Sequence, residues 1–146
     1  MDEPLLRMVD AVTLAVPTLE AGLAFYVDHL GHELAWRDDE LGQAGLRCPG
    51  ADTEIVLTTS MGAEPNWLVR SADEAAATIT AAGGSVVAAP RDIPVGRVAV
   101  VKDPFGNRLV LVDLSKGRYR TDANGSVVGV DPSGHTPEGT TGTPTP

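Results

Sequence analysis

A duplication restricts the fold of this chain more than any other feature. Val9 to Val16 alternates small and branched residues, with Val12, Leu14 and Val16 on one side and Ala11, Thr13 and Ala15 on the other, which is the period of a strand. Pro17 and Thr18 stop it, Thr18 is a residue type that caps a helix, and Leu19, Leu23, Tyr26, Val27 and Leu30 follow at helical spacing until Gly31 closes the helix. In the second half Asn66 to Val69 forms a short strand. Ser71 is the cap there, Glu74 three residues on completes a capping box, and an alanine-rich helix through Ile79 ends at Gly83 and Gly84. The halves superpose at an offset of 53, Val16 on Val69, Thr18 on Ser71 and Gly31 on Gly84. Two like units are the reading that explains strand, cap, helix length and closing glycine together.

Three strands are expected after each helix. They are His32 to Arg37, Gln43 to Cys48 and Glu54 to Thr59 in the first half, and Ser85 to Ala88, Arg97 to Lys102 and Arg108 to Leu114 in the second. DDELG, PGADT and DPFGN supply the turn residues between them, because proline presets φ and glycine tolerates positive φ. Each half therefore reads β-α-β-β-β, an α+β class with module 1 at about 6–60 and module 2 at about 64–115 of a single domain, 1–119. From 120 to 146 the chain is rich in Thr, Gly and Pro. Such text is expected to remain a disordered tail, since it buries too little apolar surface to offset its ordering entropy, and His135 within it receives no role.

FYVDHLG after the first strand, AAGGSV after the second helix and VGRVAVVKDPFGN near the end, in this paired order, resemble the vicinal oxygen chelate superfamily of glyoxalases, bleomycin-resistance proteins and extradiol dioxygenases. The resemblance runs from Leu6 to Leu114. It implies two modules forming curled mixed sheets around a shared cavity, and two chains associating as a homodimer. Metal-using members take one ligand from the first strand and one from the last strand of each module, and those positions here are Ala11, Val56, Glu64 and Val110. Only Glu64 can bind a metal. Zn, Fe or Mn sites need three or more N, O or S donors, so no metal cofactor is expected at these positions, which argues against glyoxalase I and extradiol dioxygenase chemistry; a divalent-metal site built elsewhere is the alternative.

Ala11, Thr13, Val56, Leu68 and Val110 are expected to line the cavity, with Asn66 offering a hydrogen bond. Glu54 and Glu64 are the catalytic candidates, either as an acid/base pair or as a grip on a cation, against a plain reading as solvated carboxylates. Trp36 either caps an apolar ligand or belongs to the core; strand parity puts Trp67 in the core. Arg97 pairs either with a substrate carboxylate or with surface acids. His29 and His32 lie near a helix C-terminus, where an imidazolium is favourable, and Cys48 reads as a small strand residue.

Twenty acidic against eleven basic side chains, a net charge of -9, argue against nucleic acid and anionic membranes as partners. No run is long and apolar enough to span a bilayer, the N-terminal text lacks a basic leader, and one cysteine permits no intramolecular disulfide, so a cytoplasmic location is expected. The expected function is metal-independent binding of a small, partly apolar molecule, for sequestration or sensing as in the bleomycin-resistance branch. The alternatives are a lyase, isomerase or dioxygenase-type enzyme using a carboxylate base or an unrecognised metal site, and a dimeric scaffold without a ligand.

Overall fold

The computed structural model describes residues 3–132. They divide into two compact units, each holding one β-α-β-β-β module.

In the first unit, residues 10–65 fold together with 119–129. Its strands are β1 (Met8–Ala15), β2 (Glu33–Asp38), β3 (Gln43–Cys48) and β4 (Ala51–Thr58). They lie in the order β2-β3-β4-β1, with β1 parallel to β4 and the other pairs antiparallel. Thr18 caps α1 (Leu19–Leu23) by accepting the Ala21 N–H at 3.1 Å. The single α-helix expected through Leu30 is a correction: after α1 the chain widens into a π-helical turn, Ala24–His29, in which the Leu30 N–H reaches back five residues to the Phe25 carbonyl. Gly31 closes it at φ +84°, and His32 N–H bonds to Tyr26 O, satisfying a carbonyl the helix end leaves open. Leu19, Ala44, Leu46 and Leu57 form the core beneath, joined by Leu14 and Val16, as the alternation in the first strand requires.

The second unit takes in Asn66–Arg118 and the residues before Asp10. Here β5 (Glu64–Leu68), β6 (Ser85–Ile93), β7 (Gly96–Lys102) and β8 (Arg108–Asp113) lie in the order β6-β7-β8-β5, with β5 parallel to β8. The helix α2 (Ala72–Ala81) is capped by the Ser71 hydroxyl, which accepts the Glu74 N–H at 3.1 Å. Its alanines let it sit close on Val69, Ala99, Val101 and Leu111, and Trp67 packs on this helix side as parity requires. Buried Asp113 ties the layers together: its carboxylate accepts the N–H groups of Ala72 at 2.7 Å, Arg97 at 3.0 Å and Ser115 at 3.2 Å. β6 runs on to Ile93, past the expected end at Ala88. Register shifts between Val86 and Ala88 and between Ala88 and Arg91 accommodate this extension and Pro90, which cannot donate to a ladder.

The expected tail also needs correction. Arg118–Thr121 (β9) and Val127–Asp131 (β10) pair as a two-stranded sheet. The turn between them is stapled by Asp122, whose Oδ1 accepts the N–H groups of Asn124 at 2.9 Å and Ser126 at 3.0 Å, with Gly125 at φ +84°. Local side-chain capping thus supplies order that bulk hydrophobicity does not. Residues 133–146, including His135, lie outside the described residues. No helix among the described residues is long and apolar enough to cross a membrane.

Candidate functional site

Two of the mapped positions meet in module 1. The parallel β1–β4 register sets Ala11 opposite Glu54 and Thr13 opposite Val56. Ala11 and Val56 pack with Ala35 and Trp36 on the sheet face opposite α1. A register shift between Leu34 and Trp36 brings the indole, only 5% exposed, into this cluster. Its Nε1–H donates to Glu54 Oε1 at 2.9 Å, and Gly45 lies directly beside the ring, where a Cβ would fall 2.1 Å from Nε1.

Tyr119 and Val127, from β9 and β10, close over this cluster. The Tyr119 and Trp36 rings lie 4.6 Å apart between centroids at 39°. Burial, reinforced by the negative charges of Asp38 and Glu54, pushes the Tyr119 phenol up to about 12. Neither Tyr119 nor Val127 was found from the sequence, although a signal exists: Asp122-Ala-Asn-Gly125-Ser126 repeats the pattern of Asp103-Pro-Phe-Gly106-Asn107. Both aspartates accept from the N–H groups two and four residues on, and both glycines have positive φ.

Thr13 is buried, but its hydroxyl is occupied: it donates to Gly62 O at 2.7 Å and accepts the Glu64 N–H at 3.3 Å. It therefore clasps the segment leading into β5, while half-buried Glu64 begins that strand.

In module 2 the parallel β5–β8 register pairs Asn66 with Val110 and Leu68 with Val112. Val110 packs with Val98 and Val100 on the face away from α2, and Ala88 and Ile93 adjoin them. Among the described residues, Asn66 Oδ1 is buried with no hydrogen-bond partner. A buried acceptor left unpaired costs about 1–3 kcal/mol, so it marks a place where something other than maximal stability shaped the sequence.

Arg97 belongs to the other side of β7. Its guanidinium bonds the Pro90 carbonyl at 3.2 Å, Asp73 at 2.8 Å and Asp92 at 3.0 Å, the last two being surface acids of the kind named as its alternative partners. His32 Nδ1 lies 3.0 Å from the Arg47 carbonyl, and His29 is exposed beside Phe25. Cys48 ends β3 half-buried.

The donor set does not fit a metal at the four mapped positions, since three of the four side chains are hydrocarbon. Among the described residues no group of three or more His, Cys, Asp or Glu stands in metal-binding proximity.

"Putative glyoxylase CFP32" of Mycobacterium tuberculosis is 37% identical over 95 residues, which cover 60% of this chain but only 36% of that protein. The chain thus spans about a third of the length of the curated relatives it matches. Methylmalonyl-CoA epimerase from Mycobacterium tuberculosis shares the fold, with a TM-score of 0.60 at 23% identity over 77% of this chain and 91% of that one. Homoprotocatechuate 2,3-dioxygenase from Brevibacterium fuscum matches with a TM-score of 0.52 at 25% identity, covering 71% of this chain and 35% of the dioxygenase. A family description, Glyoxalase/Bleomycin resistance protein/Dioxygenase superfamily, matches residues 8–111, and the chain belongs to that family.

Proposed function

We propose that this protein binds a small, partly apolar molecule without a metal ion, on the Val98–Val100–Val110 face of module 2. The observation that carries the reading is the unpartnered Asn66 Oδ1 beside that apolar face. A ligand N–H or O–H would satisfy this acceptor, and the surrounding valines would supply the apolar contact that most small-molecule sites use. Metal independence is supported by the hydrocarbon side chains of Ala11, Val56 and Val110 at three of the four family positions, and we propose a homodimer as the working assembly.

The test is thermal denaturation against a broad panel of metabolites and antibiotics, with elemental analysis of the purified protein. Binding should raise Tm for a compound carrying a hydrogen-bond donor, by RT ln(1 + [L]/Kd) in free energy, and chelation should leave that rise unchanged. Asn66→Leu should abolish the rise. Stoichiometric Zn, Fe, Mn or Ni, or no stabilising compound at all, would overturn the reading. A second reading, a scaffold without a ligand, is favoured by the Tyr119 and Val127 side chains that fill the module 1 face; it predicts a dimer indifferent to every compound.

A further inference from the structure

We propose that the β9–β10 hairpin is a displaceable cap, which closes the Trp36 face of module 1 and opens without unfolding the sheet beneath it. This goes beyond the ligand reading, which concerns module 2, and neither its argument nor its readouts need a ligand there.

The hairpin docks on module 1 through apolar side chains that are themselves only half-buried. Tyr119 and Val127 touch the Ala11–Ala35–Trp36–Val56 cluster, Gly125 lies against Leu34, and Gly125 O accepts the Arg37 N–H at 2.8 Å, next to a single bridge between Arg37 and Ser126. Arg118, Asp122 and Val128 are exposed. A two-stranded ribbon is marginal in water by itself, so its order depends on this docking. Elements with few buried apolar contacts open at free energies well below that of global unfolding.

The surface beneath is built separately. Trp36 is fastened by its own bond to Glu54, and it rests on Gly45 within the β2–β3–β4 ladder, whose strands pair without help from the hairpin. Leu19, Ala44, Leu46 and Leu57 hold the other side of that sheet. Removing the cap therefore leaves an ordered indole face edged by the Glu54 carboxylate, a surface suited to a flat ring. In the closed form Tyr119 occupies the position such a ring would take.

Two measurements decide it. The first is native-state hydrogen exchange on the full chain. The amides of Arg37, Asp122, Gly125 and Ser126, all bonded within or to the hairpin, should exchange on the order of 100-fold faster than those of Ala44 and Leu57 in the ladder, through an opening insensitive to low urea. Equal protection, lost only with global unfolding, would overturn the proposal. The second uses Trp67→Phe, which leaves Trp36 as the sole tryptophan, with Tyr119→Ser and Val127→Ser added. The β-sheet circular dichroism should persist while Trp36 emission shifts to the red, acrylamide quenching rises several-fold, and Nile red fluorescence appears. Loss of the sheet signal, or an indole as protected as before, would count against a cap. Absence of any ligand for the Asn66 face would leave all of these readings unchanged.

Discussion

The indole Nε1–H of Trp36 and the Oε1 of Glu54 meet at 2.9 Å, so one oxygen of a candidate catalytic carboxylate is committed to holding a ring in place. Glu54→Gln keeps an acceptor there and should change stability by less than about 1 kcal/mol, whereas Glu54→Ala strands a buried N–H and should cost about 1–3 kcal/mol. Urea unfolding of both variants tests the difference. Equal losses would show that the carboxylate's charge, rather than its acceptor, is what Trp36 needs.

Gly45 is the second support of that ring. Its Cβ would fall 2.1 Å from Trp36 Nε1 and 2.4 Å from Cε2, which no rotamer adjustment of an alanine relieves. Gly45→Ala should therefore cost about 1–3 kcal/mol by overpacking. In a Trp36→Leu background the same substitution should be nearly neutral. A double-mutant cycle from equilibrium unfolding measures the coupling, and additive effects would refute the contact.

Asp113 makes module 2 sensitive to acid. Burial pushes its carboxyl up, but hydrogen bonds from Ala72, Ser115 and Arg97 outweigh burial and leave it below its ordinary 3.8. A depressed carboxyl gives stability that is fully present above the unfolded value and is lost as pH falls through the folded one. Wild type should thus lose stability below about pH 4 more steeply than Asp113→Asn, which should already be weaker at neutral pH by roughly 2–4 kcal/mol. Urea midpoints across that range provide the check.

Tyr119 sets a limit at the opposite end. Its phenol is raised from 10.0 to about 12 by burial and by Asp38 and Glu54, so docking favours the protonated form. The corresponding stability is complete below the unfolded value and disappears as pH rises through the folded one. Between about pH 10 and 12 the hairpin should loosen, with Trp36 emission in the Trp67→Phe variant shifting to the red before the sheet signal falls. Tyr119→Phe should move that transition to higher pH, and an unchanged transition would assign it to another group.

The strand-helix units were legible because two independent periodicities, two and 3.6, repeat with the same caps. Thr18 and Ser71 both accept from the N–H three residues on, and alternation alone puts Leu14 and Val16 under α1 and Trp67 under α2. The π-helical turn was not legible, because Phe25, Tyr26 and Val27 satisfy either spacing. Trp36 resisted placement because a register shift breaks the parity rule beside it. The hairpin was missed for a different reason. Composition averages over the whole segment from residue 120, while the order resides in one aspartate and one glycine that nucleate a turn and in two side chains, Tyr119 and Val127, whose value depends on a distant surface. Parity put Asn66 with Glu64 and Leu68, but its register partner Val110 and the missing partner of its Oδ1 leave no trace in a sequence.

The covering of module 1 by residues 119–129 has a bearing on how the protein is made. Chains emerge from the ribosome N-terminus first, and module 1 has all its strands once Thr58 is in place. It must then wait for the whole of module 2 to be translated before Tyr119 arrives. During that interval the nascent chain should carry a bare indole surface, so a pause in synthesis late in the message is expected to favour aggregation of a half-built product, a hazard that measurements on the finished molecule do not register.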